Sequence, residues 1–353
     1  MITWLSIASL WSQNSTSGQD FWLTFGKNHT GIPSDSDLQI RIVNGNHLTE
    51  GRITFTNLGT WVDFSIPAHQ VYTYALNGTE RAAVYNETMG ISNKSIHITT
   101  DYQVTVYASN HTVVVGDVTN VLPITTLGID YYNISNRSSN YWNDAYAVVA
   151  IENNTHVYHD GTLSATLNNA GDVYYRTLSN GFYGADMTGT HITSDKPVAL
   201  FAVSVVAHIG YEPGIVGGTI NSLFQQLAPV NTWGRNFFVP VSHLPKDYVR
   251  IVASENNTNI SQTGGTIKPA EGGQTSLNNL QAGQFVELEI ILSNNGCYIQ
   301  SDKPVGVCAY LTSHYATPPS SYNLGIRTFS ELDTFLTTDN YRNTDSAFYT
   351  RRL

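Results

Sequence analysis

Three copies of one ten-residue pattern constrain this chain more than any other feature. They run Ile98-Thr99-Thr100-Asp101-Tyr102-Gln103-Val104-Thr105-Val106-Tyr107, Ile192-Thr193-Ser194-Asp195-Lys196-Pro197-Val198-Ala199-Leu200-Phe201 and Ile299-Gln300-Ser301-Asp302-Lys303-Pro304-Val305-Gly306-Val307-Cys308. The copies lie roughly 95 to 105 residues apart, about one β-sandwich domain each. Each reads as strand, Ser/Thr-Asp turn, strand. Asp101, Asp195 and Asp302 are expected to be structural, because an Asp side chain accepts bonds from nearby backbone N–H groups in a tight turn. Pro197 and Pro304 hold the preceding Lys extended and aim the next strand. Arrays of this kind are more often binding surfaces than enzymes.

Two further elements repeat in the same order. Leu122-Pro123-Ile124-Thr125-Thr126-Leu127-Gly128 matches Ala228-Pro229-Val230-Asn231-Thr232-Trp233-Gly234, with an aromatic three residues beyond each Gly. Glu152-Asn153-Asn154-Thr155 matches Glu255-Asn256-Asn257-Thr258 between apolar runs. That reads as strand, turn, strand, with Asn suited to positive φ. The expected fold is all-β: about three tandem β-sandwich-like units, mostly antiparallel, with little helix. The expected divisions are 14–120, 121–226 and 227–316, followed by 317–353 as an irregular tail or a partial further unit. Asn77-Gly78 reads as a hairpin turn. The one stretch suited to a short helix is Ile220 to Leu227.

Only 12% of residues are charged, so uncharged polar groups, including 32 Asn, must make the surface polar. The net charge is −10 with only 17 Lys and Arg. A footprint for phosphate backbones or anionic lipid is missing, which argues against nucleic acid and membrane-surface partners. No apolar run reaches the ~18–20 residues of a spanning helix. Residues 1–13 are apolar and short, like the second half of a secretion signal, before a polar break at Asn14-Ser15-Thr16-Ser17-Gly18; a buried first strand is the alternative. Eleven Asn-x-Ser/Thr sequons occur, among them Asn77, Asn86, Asn110, Asn133, Asn153 and Asn256, which would carry glycans on surface loops of a eukaryotic secreted protein. Cys297 and Cys308 flank the third pattern. In a tight hairpin they would face each other at disulfide distance; otherwise they are two buried thiols.

No Gly-rich phosphate loop, His-Glu-x-x-His or Gly-x-Ser-x-Gly motif is present. His156 and His159, three apart on a strand, point to opposite faces and do not suggest a metal site. No cofactor is expected. Aromatics are the better lead: Tyr131, Tyr132, Tyr141 and Trp142 lie in one Asn-rich stretch, the composition of sugar- or protein-binding loops. The competing reading places Trp142 and Tyr146 in a core strand.

The ordered set resembles the N-terminal domain family named after the IgG Fc-binding protein of mucus. The likeness is carried by Gly18-x-Asp20-Phe21-Trp22-x-x-Phe25, Leu122-Pro123-x-x-x-Leu127-Gly128 and Gln226-Leu227-x-Pro229-x-x-x-Trp233-Gly234. Asp186-Met187-Thr188-Gly189-Thr190, leading into Ser194-Asp195-Lys196-Pro197-Val198, carries it too. It covers roughly residues 18 to 315. The resemblance implies a secreted or cell-surface, mucus-associated or adhesive β domain that stands beside other extracellular modules. The expected function is non-enzymatic binding of an extracellular protein or glycan ligand. The alternatives are a carbohydrate-active hydrolase with a loop-built site and a purely structural scaffold.

Overall fold

The computed structural model describes residues 15–29, 36–112, 115–138, 142–178, 185–209, 220–241, 246–311 and 346–348. The three repeated patterns are not hairpins. Each lies inside one continuous strand: Ile96–Thr112, His191–His208 and Cys297–Leu311. Every one of these strands bends at its Asp. The strand paired to its first half shifts register there, between Gly18 and Asp20, between Gly128 and Asp130, and between Gly234 and Asn236. A bulge of this kind leaves residues outside the ladder and sharpens the local twist. Pro197 and Pro304 sit in that stretch, where a missing N–H costs no ladder bond.

The Asp carboxylates accept backbone N–H bonds, as expected, but from a neighbouring strand or the residue that leads into it, and not from their own turn. Asp101 accepts from Glu50 at 2.8 Å, Asp195 from His156 at 2.7 Å and Asp302 from Asn259 at 2.8 Å. The preceding hydroxyl closes the bend on its own strand: Thr100, Ser194 and Ser301 donate to the carbonyls of Tyr102, Lys196 and Lys303. The sequence reading missed the single strand because Ser/Thr-Asp-Lys-Pro chemistry serves a bend as well as a reversal.

The same neighbours recur around each long strand. Its first half pairs with Ser17–Leu23, Gly128–Tyr132 or Gly234–Val239 on one side, and with Thr49–Phe55, Thr155–His159 or Ile260–Thr263 on the other. Its second half pairs with Ser36–Asn44, Asp144–Ala150 or Lys246–Ala253, and with the strand that follows: Gly116–Val121, Ile220–Leu227 or Ser346–Phe348. Three antiparallel sheets of seven, eight and seven strands result. The eighth strand of the second sheet is Gly90–Ser92, which comes from the first repeat and pairs with Val173–Thr177. Ser346–Phe348, in the stretch read as a tail, supplies the last strand of the third sheet. The fold is all-β, as the sequence implies.

Two local expectations are corrected. Ile220–Leu227 is a strand, paired to the second half of His191–His208. The described α-helix is Gly78–Val84, where a hairpin was expected. Asn77 caps it: its side chain accepts from the N–H groups of Thr79 and Glu80, and Glu80 accepts in return from the Asn77 N–H. That reciprocal box satisfies helix donors that a turn would leave to water. The Glu-Asn-Asn-Thr turns are as expected, with Asn154 at φ 55° and Asn257 at φ 57°.

The units do not keep separate cores. Asp144–Ala150 is buried along its whole length. Its Ala145, Ala147 and Val149 join the core of the first sheet, while Tyr146, Val148 and Ala150 pack with Trp233, Tyr248 and Phe285 of the third. The period-2 alternation of a strand therefore feeds two cores at once. The entry Pro–Gly motifs fit the same junctions. A Cβ on Gly18 would lie 2.3 Å from Cβ of Pro123, and one on Gly128 would lie 2.6 Å from Cβ of Pro229. The first and second sheets thus each need a glycine where the proline opening the next unit presses on it.

The disulfide expectation is also corrected. Cys297 and Cys308 are buried free thiols in one strand. Eleven steps of strand separate them by on the order of 30 Å, far beyond bridging distance. Burial pushes both thiols up, to about 11 for Cys297 and about 12 for Cys308.

Thiol titration of the native chain is expected to find Cys297 and Cys308 unreactive, and the unfolded, unreduced chain to release two thiols. Gly128→Ala is expected to cost roughly 1–3 kcal/mol by overpacking against Pro229, read as a lowered midpoint in chemical denaturation.

Candidate functional site

The aromatic stretch does not form a binding loop. Tyr131 is fully buried and Tyr132 nearly so. The Tyr131 hydroxyl donates to the Val198 carbonyl at 2.7 Å and accepts from the Gly128 N–H. Tyr132 stacks on His191 with centroids 4.5 Å apart. Trp142 is half-buried, with the Lys27 ammonium 5.5 Å from its ring centroid. Tyr141 lies outside the described residues, as do residues 1–13. Tyr131 and Tyr132 are corrected because strand alternation alone does not reveal that the third sheet covers this side of the second.

Several sequons are corrected in the same way. Asn86, Asn110 and Asn133 are buried. The Asn110 amide donates to the Gly26 carbonyl and its oxygen accepts from Asn28, which leaves no room for a glycan. Asn77, Asn153 and Asn256 are exposed.

One polar cluster resembles catalytic machinery. Arg250 donates from Nη1 to Asp186 at 2.5 Å and to Thr188 at 2.8 Å, and from Nε to Glu287 at 2.8 Å. Asp144 accepts from Ser135, Ser204 and the Met187 N–H. Every one of these charged side chains is buried. Burial, and secondly the Asp186 charge, lift the Asp144 carboxyl to about 7. The Asp186–Thr188 part of this cluster belongs to the second repeat and Arg250 to the third, so the network joins two sheets. Its groups are spent on one another, and that fits a structural clamp.

The open site is on the first sheet. Along strand Thr60–Ile66 one face looks outward: Trp61, Asp63 and Ser65 are exposed, while Phe64 and Ile66 are buried. Register places Trp61 opposite Thr54, Thr54 opposite His97 and His97 opposite Trp22. Beside that row, Asp63 faces Arg52, Arg52 faces Thr99 and Thr99 faces Asp20. Arg52 donates to Asp63 at 2.7 Å, which holds the Asp63 carboxyl below its ordinary range. The same guanidinium lies 4.8 Å from the Trp61 ring centroid, so it braces one face of an indole that is 55% exposed.

A groove of about 820 Å³ runs alongside, lined among others by Glu50, Arg52, Asp63, Thr99, Thr100 and Asp101. Its floor depends on Gly51, where a Cβ would stand 2.4 Å from the Phe64 ring and 2.6 Å from the Thr99 carbonyl. Asp101, first read only as a turn residue, stands at this groove. The described residues contain no cluster of His, Cys, Asp or Glu suited to a metal ion. Sequence reasoning passed over Trp61, although its phase with Asp63 and Ser65 already marked it as outward-facing.

Comparison with known proteins gives two positive findings. A family model described as IgGFc binding protein matches residues 117–351. The human protein named IgGFc-binding protein is 28% identical over 212 residues, covering 57% of this chain. The chain spans only 4% of that relative's length. No solved structure matches. Among the described residues no helix is long and apolar enough to cross a membrane.

The raised Asp144 carboxyl makes a signed prediction. Between an unfolded value near ~3.9 and a folded value of about 7, the native state binds the extra proton. Stability from this group therefore falls as pH rises across that window and levels off above it. Urea midpoints measured from pH 5 to pH 8 are expected to show this fall in the wild type and to lose it in Asp144→Asn.

Proposed function

This chain belongs to the IgGFc-binding protein family, and from that premise we propose that it is a non-enzymatic extracellular binding protein for glycoprotein or mucus-like ligands. The observation that carries the reading is the open face of the first sheet. An exposed indole braced by Arg52 offers its free ring face for stacking on a sugar or an apolar side chain. Asp63, held by Arg52, supplies an acceptor near it, and the adjoining groove adds the carboxylates of Glu50 and Asp101 and the hydroxyls of Thr99 and Thr100. Carboxylates and hydroxyls flanking a flat ring are the groups that orient a polyhydroxylated ligand. A groove this open suits a surface chain better than an enclosed small molecule.

Secretion or display at a cell surface follows from the same reading. Asn77, Asn153 and Asn256 are then the sequons placed to carry glycans, since all three are exposed. IgG Fc belongs to the name of the human relative and enters here as one candidate ligand.

Binding of the full chain to immobilised mucin glycans and to immobilised Fc tests the proposal. The wild type is expected to bind the glycan surface, and Trp61→Ala to weaken it about tenfold or more, ~1.4 kcal/mol. Glycan binding that Trp61→Ala leaves intact removes the site. Binding to neither surface removes the function.

A further inference from the structure

The repeat leaves one junction unfilled. In the first sheet Trp22 stacks on His97, with centroids 4.0 Å apart. In the second, Tyr132 stacks on His191. Each pair is covered by a loop of the next repeat. Gly171, at φ 88°, sits over Trp22: a Cβ there would be 2.8 Å from the indole, 2.9 Å from Thr56 and 3.1 Å from Ser95. Ser95 also donates to the Gly171 carbonyl at 2.7 Å. Gly283, at φ 80°, sits over Tyr132 in the same way, with a Cβ site 3.2 Å from that ring. The two loops are copies. Ala170 and Ala282 donate to the Asn153 and Asn256 side chains, and Gly171 and Gly283 donate to the carbonyls of Ala150 and Ala253.

Register places Phe238 opposite Tyr298 at the matching position of the third sheet. Among the described residues no loop covers this pair. Phe238 is 64% exposed and Tyr298 39%, with ring centroids 6.5 Å apart. The matching loop of the first repeat is equally unused. It is Pro67-Ala68-His69-Gln70, where His69 stands at φ 60° and donates to the Gly45 carbonyl. This loop alone of the three carries a side chain at the contact position, and that side chain is exposed.

Where the first sheet walls its seat with Thr56 and Ser95, the third, counted on from its paired residues, has Gly265 and Gly296. A Cβ on Gly265 would already stand 3.1 Å from Gln262 and Leu288, and one on Gly296 2.9 Å from the Val239 carbonyl, so the exposed part of this seat is its two rings. An imidazole presented to this seat meets the exposed rings of Phe238 and Tyr298, on which it can stack as His97 does on Trp22.

We infer that the His69 loop of one copy docks on the Phe238–Tyr298 pair of a second copy, joining chains head to tail. This contact continues a junction already used twice within the chain. Because the two surfaces differ, the contact is heterologous, and such a rotation gives rings or open filaments instead of a closed dimer.

Sedimentation equilibrium of the full chain over a wide concentration range tests this. The wild type is expected to show a mass that rises with concentration past that of two chains. Phe238→Asp and His69→Asp, both at exposed positions, are each expected to return it to a single chain. An equimolar mixture of the two variants should recover one dimer and stop there, since one good loop and one good seat remain. Trp61→Ala should associate like the wild type, which separates this contact from the proposed ligand site. A wild type that stays monomeric overturns the inference. So does association that His69→Asp leaves intact, which would mean that the Phe238 faces meet each other or another surface.

Discussion

The structure depends on bending a long strand without losing its hydrogen bonds. Each repeat is organised by one strand of 15 to 18 residues, long enough to belong to two differently directed halves of a sheet. The change of direction frees backbone groups at the corner. An Asp carboxylate takes the N–H of the adjoining strand, and a Ser or Thr hydroxyl takes the carbonyl two residues on. Buried or half-buried polar backbone must be paired somewhere, and this three-residue device does it three times. In the second and third repeats a Lys ammonium adds a bond to the carbonyl of the facing turn, at Asn153 and Asn256.

Once the corners are set, the sheets cannot stand alone. The second sheet has no polar face over Asp144–Ala150, so it must lie between its neighbours. Glycines at the junctions then become obligatory for different reasons. Gly18 and Gly128 make room for prolines, while Gly171 and Gly283 supply both positive φ and the missing Cβ that lets a loop rest on an aromatic ring. The ion cluster around Arg250 spans the second junction, where removing one partner would strand a buried charge.

Function is left to the surfaces that stacking does not consume. The Trp61 face belongs to the first sheet and the Phe238–Tyr298 pair to the third. The first has charged and hydroxyl groups around a braced indole, a composition for a polar ligand. The second has two rings beside glycines, a composition for a fitted loop.

Much of this architecture was legible in the residues alone. Three ordered repeats, their spacing, the all-β class and the Asn turns at positive φ follow from local chemistry, because turn residues and strand alternation act over a few positions. The Asp acceptors were legible as acceptors, but not their donors, which lie 39 to 51 residues away. The pairing of Cys297 with Cys308 failed because both lie in one continuous strand, while the glycans at Asn86, Asn110 and Asn133 and the ligand role of Tyr131 and Tyr132 failed for another reason. Whether a polar or aromatic residue meets solvent depends on which sheet lies against it. Sequence by itself determined the units and their order; tertiary structure decided the bend in each long strand, the sharing of cores and the surfaces left open. Alternation names two faces for every strand, and only packing between distant segments says which of them is covered.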